Sequence, residues 1–478
     1  MASRRWLALA ALASVQFLIV IDNTVVNVAL PSMQASLGLS AGGLAWVING
    51  YLLTAGGLLL LGGRLGDLAG RRRMFLAGTV LFAASSFACG AAPSGTVLIA
   101  ARFAQGAGEA LATPAALSII AMLFDQPAER AKALGIWGGL AGLGATVGVL
   151  LSGVLTQLAS WRWIFFINLP VAVLALLAVP VLVPESRAAR RPRIDLAGAV
   201  LVTTGLVAVV HGLLAATRHD WTSAAVLVPL VAGLAALAGF VAVQARAAEP
   251  LVPLRFFANR TRVGGNAGSV FMIGVMAAMF LLLTLYMQDV LGYSPLRTGL
   301  AYLPFCLLFV AAVFGSFVLS ARLGARRTLL LAFAVAAAGM LLLTRLPVAG
   351  SYATDLLPPL LVLAVGFGLG FPGLQNAALH GVSEADAGLG SGVQTAVQAI
   401  ANAMGIAIFL TVAVRHTASE LAAGGAPAEA ITSGYRLAFA VGVASLLLGA
   451  TAVLTLTPAC PPLRTPELGV PDTRVGHS

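Results

Sequence analysis

Gly63-Arg64-Leu65-Gly66-Asp67-Leu68-Ala69-Gly70-Arg71-Arg72-Arg73 is a basic, glycine-rich break between two apolar runs. The flanking runs, roughly 44–63 and 74–93, each have the roughly 20 residues an α-helix needs to cross a bilayer. Working outward, similar runs recur at roughly 6–30, 96–119, 134–157, 163–183, 194–215, 223–245, 264–288, 298–320, 327–347, 356–379, 393–414 and 434–457, about fourteen spans in all. Composition agrees. The 478 residues are 59% hydrophobic and 9% charged, whereas a globular domain carries about 25% charge. In lipid the backbone must satisfy its own hydrogen bonds, which leaves helices or a closed barrel. Val200 to Leu214 and Phe305 to Leu319 show no period of two, so the chain reads as an all-α polytopic membrane protein.

Charge orients these spans. Twenty-one basic residues fall on the connections of one side, six on the other, and Arg102 lies inside a span, together the 28 Lys and Arg of the sequence. The positive-inside rule then places both termini in the cytoplasm. The same dispersal excludes nucleic acid as the reason for the net charge of +11, since no face or motif collects the arginines. The run from Trp6 to Leu30 follows Arg4 and Arg5 but is too long for a signal peptide, and it reads as a retained first span. Cys89, Cys306 and Cys460 have no metal spacing and read as small hydrophobes. A basic linker after Pro184 and a break near Ala247 to Arg262 divide the chain into six spans (1–184), a linker with two spans (185–250) and six more (251–457). A Pro-rich tail, 458–478, is expected to be disordered.

The quoted break resembles the Gly-x-Leu-x-Asp-x-x-Gly-Arg-Arg/Lys pattern of the major facilitator superfamily. Further segments are similar to its fourteen-span drug:proton antiporter branch, of the EmrB/QacA type. They are Asp22 to Pro31 (Asp-Asn-Thr-Val-Val-Asn-Val-Ala-Leu-Pro), Arg102 to Gly108 (Arg-Phe-Ala-Gln-Gly-Ala-Gly) and Trp161 to Pro170. The resemblance implies two pseudo-symmetric six-helix bundles plus two inserted helices at the periphery, a gating loop using Gly63, Asp67, Gly70, Arg71 and Arg72, and a cavity between the halves. The fifth-span antiporter motif, usually Gly-Pro-x-x-Gly-Gly, reads Gly148-Val149-Leu150-Leu151-Ser152-Gly153. It lacks the proline but keeps a close-packing face of Gly138, Gly142, Gly148 and Gly153. A decayed second copy of the loop motif survives at Leu319 and Gly324 to Arg327, with Ala321 in the aspartate's place.

Ionisable side chains inside a span cost about 2.5–3.5 kcal/mol at the helix centre on insertion scales, and so mark cavities or partners. Asp22 and Arg102 lie at similar depths on the first and fourth spans and are expected to meet. Arg102, Gln105, Gly106 and Glu109 share one helical face. The reading is that Asp22 and Glu109 exchange protons while Arg102 biases which carries charge; a structural ion pair is the bland alternative for Asp22 and Arg102. Asn27, Gln105, Glu109, Met276, Tyr286 and Gln288 are the candidate cavity residues, with lipid-facing packing the default for Met272, Met276, Met279, Phe280 and Tyr286. Asp289 reads as an interfacial cap and His211 as a helix histidine near the boundary. No His-Glu-x-x-His, Walker or Gly-x-Ser-x-Gly pattern is present, so no enzymatic chemistry, cofactor or metal is expected. The expectation is proton-coupled efflux of amphipathic or cationic compounds by a monomer in a bacterial cytoplasmic membrane, with solute uptake as the runner-up and a membrane sensor as the non-transport alternative.

Overall fold

The computed structural model describes residues 2–124, 126–187, 194–247, 249–382 and 387–457. All of its regular elements there are helical. In chain order these are α1 Ala2–Leu37, α2 Ala41–Ala69, α3 Arg71–Gly90, α4 Gly95–Leu123, α5 Pro127–Leu158, α6 Trp163–Phe166, α7 Asn168–Leu182, α8 Leu196–Ala215, α9 Ala224–Arg246, α10 Arg260–Leu285, α11 Pro295–Leu323, α12 Ala325–Leu343, α13 Leu357–Ala378, α14 Ala387–Ala422 and α15 Pro427–Leu456. Among the described residues, 13 helical runs are long and apolar enough to cross a membrane, with α6 and α7 forming one of them, and α5 adds the apolar stretch Val147–Leu158. The tail 458–478 lies outside the described residues.

Local chemistry sets the helix ends. Ser40, Ser94 and Ser294 accept the amides of Gly43, Val97 and Arg297 at 3.2, 3.4 and 3.2 Å, while Pro127, Pro295 and Pro427 open helices where no N–H is needed. Many helices outrun the apolar stretch that announced them, since nothing stops a helix at the bilayer edge. One consequence corrects the sequence reading: Gly63 and Gly66 are not in a loop. Helix α2 runs through them to Ala69, and the chain turns only at Gly70, whose φ of +118° suits glycine. Gly324, with φ of +85°, makes the same break between α11 and α12, so the decayed second motif keeps the backbone turn after losing its aspartate.

The outward faces are apolar. Leu174, Leu177 and Val181 on α7 and Val228, Val231 and Leu234 on α9 are each at least 60% exposed, a surface that water does not favour and lipid does. Inside, α1 packs on α5 and α7, and α4 on α2 and α3; α10 packs on α13, α14 and α15, with α11 and α12 against α13. Small residues permit these approaches. A Cβ on Gly106 of α4 would sit 2.2 Å from the Tyr51 carbonyl oxygen of α2. The two groups meet along α2 with α14 and along α5 with α11. Helices α8 and α9 pair, and α8 rests on both α2 and α14, so it lies over the seam rather than at the margin of one group.

Candidate functional site

Helix α1 brings Asp22 and α4 brings Arg102 to the middle of the first group, where both are sealed, at 0% and 1% exposure. The Arg102 guanidinium pairs with the Asp22 carboxylate through Nη1. Two further N–H groups are used: Nε donates to the Val47 carbonyl at 2.9 Å and Nη1 to Gln105 Oε1 at 2.7 Å. The Tyr51 ring lies 4.2 Å from the guanidinium carbon, a cation–π contact. Asp22 Oδ1 accepts from Gln105 Nε2 at 2.9 Å and from Asn168 Nδ2 at 3.1 Å. Ser86 Oγ in turn accepts from the same two amides at 2.8 and 3.3 Å. Helices α1, α4 and α7 thus meet at one carboxylate whose hydrogen-bonding neighbours all donate, and Ser86 ties α3 in through the two amides. A buried charge pair of this kind is stable only when its remaining polar atoms find partners.

Glu109 lies on α4 along the same face and differs from Asp22. It is half-buried, its carboxyl approaches the Tyr51 side chain, and its Oε2 is buried without a hydrogen-bond partner. The two acids are therefore unequal. Asp22 is fully committed, whereas Glu109 has acceptor capacity to spare.

The other cavity candidates separate. Asn27 is half-buried, its amide donating to the Asn23 carbonyl at 3.3 Å. Gln288 donates to the Val28 carbonyl at 2.9 Å, a cross-link between the two helical groups. Tyr286 is fully buried with its hydroxyl donating to the Pro347 carbonyl. Met276 lines a small cavity of about 10 Å³ with Met272, Phe367, Phe371, Gln394 and Gln398, space for about one water. Gln394 Oε1 is buried there without a partner. Met272, Met279 and Tyr286 are buried inside the protein, which overturns the lipid-facing default for them. Phe280 lies between Tyr302 and Phe305, its ring tilted by 44° to the first and edge-on at 84° to the second. Asp289 is exposed, and His211 is exposed beside Trp46.

At the turn, Asp67 accepts from Arg71 at 3.0 Å. Glu185, just past α7, caps the start of α3: its Oε1 and Oε2 accept the amides of Arg72 and Arg73 at 3.1 and 3.2 Å, an anion on a helix N-terminus. Arg72 Nη1 donates to the Pro180 and Val183 carbonyls, and Arg64 holds the Glu249 and Pro250 carbonyls after α9. Gly63 is helical, with only Pro114 within 4 Å of a Cβ built there. On α5, a Cβ at Gly148 would fall 2.0 Å from Thr24 Oγ1 and one at Gly153 2.9 Å from the Pro295 carbonyl of α11. Ser152, which stands where the fifth-span motif has glycine, donates to the Val25 carbonyl. Gly138 and Gly142 are on α5 but their side-chain surroundings lie outside the described residues.

Sequence reasoning does not single out Asn168, Ser86, Tyr51 or Glu185. Asn168 and Ser86 are polar residues inside apolar runs, a signal that could have found them. Glu185 looks like one more charge in a linker.

An apolar helical bundle that shelters a hydrogen-bonded charge centre from lipid has the construction of a membrane transporter. The family model described as Major Facilitator Superfamily matches residues 12–406, and the chain belongs to that superfamily. It is 41% identical to the puromycin resistance protein pur8 of Streptomyces alboniger over 94% of this chain and 90% of that one. It is 41% identical to the lincomycin resistance protein of Streptomyces lincolnensis, over 85% and 84% of the two chains, and 39% identical to the cephamycin export protein CmcT of Amycolatopsis lactamdurans, over 95% and 92%. Among solved structures, a bacterial homologue of the human lysosomal transporter Spinster, inward-facing and unoccupied, superimposes with a TM-score of 0.66 at 18% identity over 95% of this chain and 97% of that one. This last likeness concerns the fold.

Proposed function

We propose that the protein exports amphipathic or cationic antibiotics and related metabolites across a bacterial cytoplasmic membrane in exchange for protons, both termini being cytoplasmic. The relatives' printed roles in puromycin and lincomycin resistance and cephamycin export supply the substrate class. Alternating access between 1–184 and 251–457, with the pair in 185–250 riding on the seam, is the cycle. Asn27, Gln105, Glu109, Met276, Tyr286 and Gln288 remain the proposed substrate-facing set, the last two at the far end from Gly70. The turn at Gly63, Asp67, Gly70, Arg71 and Arg72 is the proposed gate, and Gly138, Gly142, Gly148 and Gly153 the packing face on which α5 moves.

The observation that carries proton coupling is the unpartnered Oε2 of Glu109 beside an Asp22 whose acceptors are all engaged. A carboxyl with a vacant acceptor can take a proton or face a cation, but not both, and that exclusion is the elementary requirement of exchange. Asp22 and Arg102 set the field around it. The test uses purified protein in proteoliposomes with a trapped pH indicator and ethidium as the cationic probe. Ethidium should drive counter-movement of protons in wild type, and Glu109→Gln should abolish it. Ethidium flux without proton movement would defeat the exchange reading.

A further inference from the structure

The connection from α9 to α10 includes one turn of 3-10 helix, Leu254–Ala258. Between this turn, residues 381–382 just past α13 and the first turn of α14 lies a pocket of about 230 Å³, lined by Arg255, Phe256, Arg262, Val382 and Leu389 among others. Drug-sized ligands occupy about 300–1,000 Å³, so this space suits a smaller group. From 254 to 262 the sequence carries Arg255, Arg260 and Arg262 and no acid. Arg262 is fixed in the wall: it donates to the carbonyls of His380 at 2.7 Å, Gly381 at 3.0 Å and Phe256 at 3.2 Å, closing the end of α13 while keeping its charge. Arg255 is exposed and has no hydrogen bond or ion pair to protein among the described residues. On the same turn Leu254 and Phe257 are 42% and 37% exposed. The pocket adjoins the first turn of α10, which opens the run Arg260–Val290, long and apolar enough to cross a membrane.

We propose that this pocket holds the phosphate of an anionic phospholipid from the leaflet at the Gly70 end of the bundle. Arg255 supplies the exposed guanidinium and Arg262 a fixed positive wall. Leu254 and Phe257 enter the acyl boundary, which removes their exposure to water. Charge complementarity selects the occupant: a guanidinium offers paired donors that match phosphate oxygens, and a basic cluster beside a bilayer attracts anionic headgroups. The connection 383–386, outside the described residues, carries Glu384 and Asp386. Were those acids to neutralise Arg255, the pocket would have no preference for an anion, and the experiment reads that directly.

The test is native mass spectrometry of the delipidated full-length protein titrated with phosphatidylglycerol, phosphatidylcholine and, separately, inorganic phosphate. Phosphatidylglycerol should bind saturably and more tightly than phosphatidylcholine. Arg255→Gln should weaken it about fivefold, the equivalent of the about 1 kcal/mol that one arginine contributes near an anionic surface, and Arg255→Lys should keep most of the binding. Phe257→Ser should weaken it without altering charge, and Arg322→Gln, at an exposed arginine of the same end, should leave it unchanged. Equal binding of the two lipids, or an Arg255→Gln protein that binds phosphatidylglycerol like wild type, overturns the proposal. Displacement of phosphatidylglycerol by millimolar inorganic phosphate would assign the pocket to a soluble anion and overturn it as well.

Discussion

Replacing Asp22 by asparagine keeps the shape of the side chain and removes one acceptor. The three groups that face its carboxylate are Arg102 Nη1, Gln105 Nε2 and Asn168 Nδ2, all donors. Whichever way the introduced amide is turned, its NH2 opposes a donor, and Arg102 remains buried at 1% exposure without its counter-ion. Breaking one side of a buried pair costs about 3–5 kcal/mol, which lowers the ratio of folded to unfolded protein by a factor of about one hundred to several thousand. The measurement is loss of helical circular dichroism on heating or SDS titration in detergent. Arg102→Gln alone should also destabilise, since it leaves Asp22 with fewer donors. The double variant should be less damaged than the sum, with a coupling of about 1–3 kcal/mol, because the two introduced amides can pair with each other. If Asp22→Asn melts with the wild type, or if the two losses simply add, the pair does not hold α1 to α4 as described.

Other outcomes follow from the same geometry. Glu109→Gln should fold normally and bind a fluorescent cation more weakly by anisotropy, while its efflux loses dependence on an imposed pH gradient; an unaltered pH dependence would exonerate Glu109. Glu185→Ala removes the carboxylate from the start of α3 and should cost about 0.5–2 kcal/mol, with faster hydrogen exchange at the Arg72 and Arg73 amides as the local signature. Gly62→Ala places a Cβ 1.9 Å from the Ala110 carbonyl oxygen and should destabilise by about 1–3 kcal/mol or more. Gly63→Ala, whose Cβ would stand 3.6 Å from Pro114, should be near neutral; thermal melts of the two variants side by side test this contrast.

That contrast shows how far the sequence could be read. The spans were legible because lipid demands long apolar runs, and the meeting of Asp22 with Arg102 followed from matching their depths. The glycine motif named Gly63, but the closest approach to α4 falls on Gly62 and Gly63 is left at ordinary contact distance, a distinction of about 100° around a helix that no spacing rule resolves. Glu185 lies 113 residues from Arg72, and Asn168 lies 146 from Asp22; such partners are set by tertiary packing. Nor did hydropathy indicate where α8 would lie, since apart from Thr203, Thr204 and His211 the helix is apolar or glycine throughout.

The position of α8 has a consequence for entry. Thr411 of α14 donates to the Leu213 carbonyl of α8 at 2.9 Å, and Arg415 Nη1 to the carbonyls of Ala216 and His219 at 2.9 and 2.8 Å. On its other side α8 places Thr203 against Gly57 of α2, where a Cβ would fall 2.4 Å from Thr203 Oγ1. The line along which α2 meets α14 is therefore covered by α8. Any sideways path from the bilayer into the line where α2 meets α14 would have to displace α8.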